Sequence, residues 1–153
     1  MAKKVSDAEC LENYHKMCDL FKRVIADNER FSVVYGCGVD VGMSDFVVAR
    51  KTTYTYSSYA IGYDKSAKEM VILPIDVDLK SYGNAIYLAR SAVKKAKRSW
   101  LSKEINIQSS NLPKKYIQFT VPEMINQDDD NVCLCVKQNE QAADFTEFFK
   151  STY

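Results

Sequence analysis

Six cations, Arg90, Lys94, Lys95, Lys97, Arg98 and Lys103, surround Trp100 in a single stretch, residues 90–103. An indole among guanidinium and ammonium groups has three uses: it can stack on a base, sit at the level of lipid headgroups, or fill a core. The wider segment 86–120 holds eight basic groups against Glu104 alone, and residues 121–153 then hold seven acids against Lys137 and Lys150. A net charge of +1 thus hides a directional field. Either the two segments are neighbours whose exposed pairs contribute ~0–1 kcal/mol each, or the basic one docks an anionic partner. The sequence pI of about 7.5 lies below that of dedicated nucleic-acid binders.

Other chemistry-bearing residues assemble less well. The single histidine, His15, stands beside an apolar helical stripe with no partner for base catalysis. Gly36, Gly38 and Gly42 miss the dinucleotide-loop spacing by one residue and read as a hairpin or strand-edge loop. Cys133 and Cys135, two apart on an expected strand, share a face without the second pair that a zinc site needs, and read as buried thiols. The acidic run 128–130 lacks the glycine and distal glutamate of a calcium loop, and Asp76 with Asp78 lacks a third ligand. No catalytic set, no metal site and no cofactor is therefore expected. The binding candidates are the seven residues Arg90, Lys94, Lys95, Lys97, Arg98, Trp100 and Lys103.

A chain of 153 residues that is 46% hydrophobic and 27% charged fits one globular domain, 1–153, with no need of disulfides. Five irregularly spaced cysteines point to thiols in a reducing compartment. No apolar run is long enough to cross a bilayer, and no apolar stretch follows Lys3-Lys4 as in a signal peptide, so a cytoplasmic protein is expected.

The elements that must position these residues can be read in order. Ser6 and Glu9 have capping-box spacing, and Leu11, Tyr14, Cys18, Phe21 and Ile25 recur at helical intervals, which predicts a helix over 6–26. Residues 31–137 read as antiparallel β structure. Its strands are a short one at 31–35, one at 45–49, and a long one at 52–63 with a bulge or bend at Ser57-Ser58, followed by one at 69–73. Residues 86–100 fit either a helix or two strands. Strands at 104–108, 115–121 and 132–136 follow, with a loop over 122–131. Asn139 opens a C-terminal helix, 139–152, whose Phe145 and Phe149 share a face with Phe148 beside it.

About seven antiparallel strands closed by one amphipathic helix resemble the pleckstrin-homology-like superfold. Residues 86–88, 94–98, 105–107 and 116–119 look like the middle strands of its bacterial members and of GRAM domains, and 132–136 with 140–150 look like the capping strand and helix. The resemblance implies an α+β fold, mainly a bent antiparallel barrel plugged by the C-terminal helix, with an additional N-terminal helix. It implies a non-enzymatic binding or scaffold module, with protein–protein interaction first. The alternative is a binder of an anionic ligand, nucleic acid or a phospholipid headgroup, through 90–103. Phosphoinositide-binding members carry their basic residues on earlier strands, so lipid recognition does not carry over residue by residue.

Overall fold

The computed structural model describes residues 3–43, 52–128 and 133–153, so the strand expected at 45–49 and most of the acidic run 128–130 lie outside the described residues. The chain begins with β1 (Lys3–Lys4) and α1 (Asp7–Val24). A four-stranded antiparallel sheet follows, made of β2 (Ser32–Met43), β3 (Thr52–Asp64), β4 (Glu69–Ile75) and β5 (Ile86–Ala89) in that order. A second, three-stranded antiparallel sheet is formed by β6 (Lys95–Arg98), β7 (Ile105–Gln108) and β8 (Tyr116–Phe119). Two short ladders then pair β9 (Met124–Ile125) with β11 (Val136–Lys137), and β10 (Gln127–Asp128) with β1. The last element is α2 (Asn139–Thr152). The fold is α+β with antiparallel sheets and two helices. Among the described residues the strands do not close into a barrel: β2 meets the residue after β8 at one isolated bridge, Cys37 to Thr120, and no ladder joins β5 to β6.

Four-stranded sheet residues are buried on both faces. Val34, Ile61, Met70 and Ile72 point into a core shared with the second sheet and α2. Val33, Tyr35, Ala60, Val71 and Leu73 point the other way, against α1. That is why β2 and β4 contain unbroken apolar runs, at 33–35 and 70–73, instead of alternating ones. The N-terminus of α1 forms as its spacing predicts, with Ser6 Oγ accepting from the Glu9 amide at 3.2 Å. Its buried stripe, Tyr14, Met17, Leu20 and Phe21, lies on the sheet, and Asn13 Nδ2 donates to the Cys135 carbonyl at 3.0 Å, 122 residues away. The helix can come this close because Gly62 has no side chain: a Cβ there would stand 2.5 Å from the Phe21 ring.

Several strand expectations are corrected. The glycines 36–38 form no loop; β2 runs straight through them, and none of the described glycines has a positive φ. Gly38 instead lets β8 approach, since a Cβ would meet the Gln118 carbonyl at 2.5 Å. No bulge interrupts β3 either, for its register with β2 is unbroken from Ser32↔Tyr63 to Met43↔Thr52. What changes at Ser58 is the number of partners, because β4 pairing ends at Ser58↔Ile75. Residues 86–100 resolve into β5, a 3₁₀ turn at Arg90–Ala92 and β6. Of the strand expected at 132–136, residues 133–135 are not in a strand and only Val136 is, in β11, and the expected loop 122–131 contains β9 and β10. Among the described residues no helix is long and apolar enough to cross a membrane.

The C-terminal helix is joined to the sheet by two side chains. Gln138, 1% exposed, accepts from the Tyr35 amide through Oε1 at 2.7 Å and donates through Nε2 to the Tyr35 carbonyl at 3.0 Å and the Pro122 carbonyl at 2.8 Å. It precedes α2 without capping it through its side chain. Phe145, Phe148 and Phe149 are all buried, and Phe145 meets Tyr63 edge-on at 5.3 Å between ring centroids. Tyr63 Oη donates to Asp144 at 2.7 Å, and Lys65 pairs with the same carboxylate.

Two outcomes follow from these joints. Gln138→Leu leaves two carbonyls and an amide without partners, each costing on the order of 1–3 kcal/mol if it stays dry. Urea unfolding should show a large drop in midpoint; an unchanged midpoint would mean that water replaces the amide. Lys65, and then the Tyr63 hydroxyl, hold the Asp144 carboxyl below the usual carboxylate range. A depressed folded pKa stabilises above the unfolded value of about 3.9 and is lost as pH falls through the folded one. Asp144→Asn should therefore melt below the parent at neutral pH, and the gap should close in acid. A gap independent of pH would assign the effect to packing.

Candidate binding surface

Strand alternation and turns divide the seven candidate residues into several places. Lys95 and Lys97 pair with Gln108 and Asn106, and both lysines are exposed on the outer face of the three-stranded sheet. Ala96 and Arg98, opposite the buried Ile107 and Ile105, take the inner side. There the half-buried Arg98 lines a cleft of about 530 Å³ with Ser102, Lys103, Glu123, Asn139 and Thr146. Lys94 is exposed while its amide donates to the Gln108 carbonyl at 2.8 Å. Arg90 lies in the 3₁₀ turn beyond β5, its amide bound to the Lys68 carbonyl at 3.1 Å.

Trp100 and Lys103 sit together on the turn that joins β6 to β7. The Ser99 amide donates to the Glu104 carbonyl at 2.9 Å, and the Ser102 amide donates to Ser99 Oγ at 3.3 Å, so the turn is hydrogen-bonded internally. Trp100 is 81% exposed and Leu101 76% exposed, more than any other large apolar residue described. Trp100 therefore does not fill the core. Lys103 holds φ at +61°, a region that glycine would occupy at less steric cost. The result is a protruding tip: two adjacent apolar side chains with the exposed Lys103 on the same turn.

Sequence reasoning missed Leu101. Its signal was available, since Leu101 falls outside the helical period that takes in Trp100 and lies between two serines, Ser99 and Ser102. Also unforeseen is an apolar cleft of about 360 Å³ between the sheets, lined by Tyr59, Pro74, Ile86, Leu112 and Tyr116. The other chemistry stays separate. His15 is exposed and edges the Tyr14 ring at 5.6 Å. Asp76 and Asp78 work locally, Asp76 accepting from Ser81 Oγ and Asp78 from the Lys80 amide at 2.9 Å. Among the described residues no group of three or more His, Cys, Asp or Glu side chains is placed to hold a metal ion. Cys135 is buried as expected, whereas Cys133 is half-buried, and the five cysteines form no disulfide.

The lysines of β6 have a structural use of their own. β6 is an edge of its sheet, and lysine on an edge strand discourages pairing with another chain. Lys95→Val with Lys97→Val should leave the unfolding midpoint close to the parent's and increase concentration-dependent association in sedimentation velocity. Sedimentation identical to the parent's would show that this edge needs no protection.

Comparison with known proteins adds no assignment: no family model, no curated protein and no solved structure matches this chain.

Proposed function

We propose that the chain is a non-enzymatic, pleckstrin-homology-like binding module that attaches to anionic membrane surfaces through the tip between β6 and β7. The pleckstrin-homology-like reading is supported by the order of elements: four antiparallel strands, then three, with β8 returning to β2 and a helix last. A cytoplasmic site of action is supported by the odd number and irregular spacing of the five cysteines.

The observation that carries the proposal is the exposure of Trp100 and Leu101 on one turn among cations. Indole favours the headgroup level, and burying each of two such side chains contributes ~1.5–3 kcal/mol. Lys103, exposed on the same turn, adds about 1 kcal/mol beside an anionic leaflet. Together these give reversible attachment that weakens as salt rises. The shape decides between partners. A protruding tip needs a matching pocket in a protein, whereas a bilayer yields to it. Protein–protein interaction, through a Trp and an Arg of the kind that anchor interfaces, is the competing outcome.

Trp100 is the chain's only tryptophan and so reports on the tip alone. Its emission should shift to the blue with phosphatidylcholine vesicles containing phosphatidylserine, and the shift should be reversed by high salt. Leu101→Ser with Lys103→Gln should weaken the effect without lowering the melting temperature, because both side chains are exposed. No shift on anionic vesicles would overturn the membrane reading. A shift with polyglutamate instead of vesicles would assign the tip to an acidic protein partner.

A further inference from the structure

Cys37 and Cys133 stand 96 residues apart in sequence, yet their sulfurs are 2.8 Å apart. The backbone is pinned at Cys37 and at Leu134, next to Cys133. The Cys37 amide donates to the Thr120 carbonyl and its carbonyl accepts from the Thr120 amide, each at 2.9 Å. Cys133 precedes Leu134, whose amide donates to Tyr35 Oη at 3.0 Å, and Tyr35 lies two residues before Cys37 on β2. The Tyr35 hydroxyl is itself held by Ser58 Oγ at 2.7 Å. Two residues of one strand thus fix the segment that leads into β11 and α2. An S–S bond is about 2.05 Å long, so closure needs the sulfurs to approach by less than 1 Å.

We propose that Cys37 and Cys133 form a reversible disulfide when the protein meets a hydroperoxide, clipping β2 to the segment that carries α2. The Cys133 thiolate attacks one peroxide oxygen; an S–O bond forms, the O–O bond breaks, and hydroxide leaves and takes up a proton. Cys37 sulfur then attacks the sulfenic sulfur; the S–S bond forms, the S–O bond breaks, and water leaves with the Cys37 proton. Two thiols lose two electrons and two protons, and hydrogen peroxide becomes two waters. This order suits the pair, because Cys37 is held protonated well above the ordinary thiol range by its hydrogen bond to Cys133 and by burial. A crosslink closing so long a loop restricts the unfolded chain strongly. It would also secure the joint at Tyr35 on which α2 depends. The clip is independent of the membrane proposal.

The test uses the whole chain. Before oxidation, alkylation of the unfolded protein should modify all five cysteines. After hydrogen peroxide treatment of the folded protein it should modify three, the intact mass should fall by two hydrogens, and digestion should yield a peptide pair joining residues 37 and 133. The melting temperature should rise by about 5–15 °C and return on reduction. Cys133→Ser should abolish the pair; Cys10→Ser with Cys18→Ser, which leaves Cys37 and Cys133 in place, should retain it. Sulfinic acid at Cys37 or Cys133 with no linked peptide would overturn the proposal. So would a linked peptide formed equally in urea, since the folded geometry would then play no part.

Discussion

One buried amide holds the halves of this molecule together. β2 has β3 along one edge, and its other edge must also be satisfied because Tyr35 is fully buried. Among the described residues no strand supplies that partner at Tyr35. The Gln138 side chain does, accepting from the amide and donating to the carbonyl as a neighbouring strand would. The same Nε2 reaches Pro122, the Gln138 amide donates to the Glu123 carbonyl, and the Gln138 carbonyl accepts the first hydrogen bond of α2 from Ala142. Three separate parts of the chain, β2, the segment at Pro122-Glu123 and α2, are fixed by one residue. Its worth lies less in the net energy of these bonds, about 1 kcal/mol apiece, than in the cost of leaving them unmade.

With α2 set by Gln138, its aromatic face has one place to go. Phe145, Phe148 and Phe149 enter the core between the sheets and meet Tyr63 and Tyr153, while the Tyr153 hydroxyl donates to the Leu88 carbonyl at 3.1 Å. The opposite face of the four-stranded sheet is covered by α1. The layers are therefore a helix, a sheet buried on both faces, and a second sheet with a helix beside it. On the outer face of the second sheet and its turns the exposed Lys95 and Lys97, and then Trp100, meet solvent.

Helices were legible in the sequence because their signals are local. Ser6 with Glu9, and the spacing of Phe145 and Phe149, need no knowledge of the rest of the chain. The sheets were harder wherever a residue answers to a distant one. Gly36 and Gly38 carry the mark of a loop, but they are there for closeness to Ile61 and Gln118, which spacing does not reveal. Ile86, Ala89, Val93, Ala96 and Trp100 match a helical period, yet four-residue strands such as β5 and β6 are too short to show a competing alternation. The basic cluster was real as composition and misleading as a site, since alternate residues of a strand face opposite ways. Trp100 was singled out by its type; that it lies in solvent beside Leu101 depended on where the turn falls.

The seat of α1 has a consequence for the order of events during synthesis. Its apolar stripe packs against Leu134 and Val136 as well as the sheet, and Asn13 waits for a carbonyl 122 residues further on. Ribosomes add about 5–20 residues per second, so the first helix precedes its last partner by roughly 6–24 s. Through that interval a formed amphipathic helix has its stripe only partly covered. The earliest element to be made is among the last to be completed, and nascent chains stalled short of residue 134 are the ones that chaperones have most reason to hold.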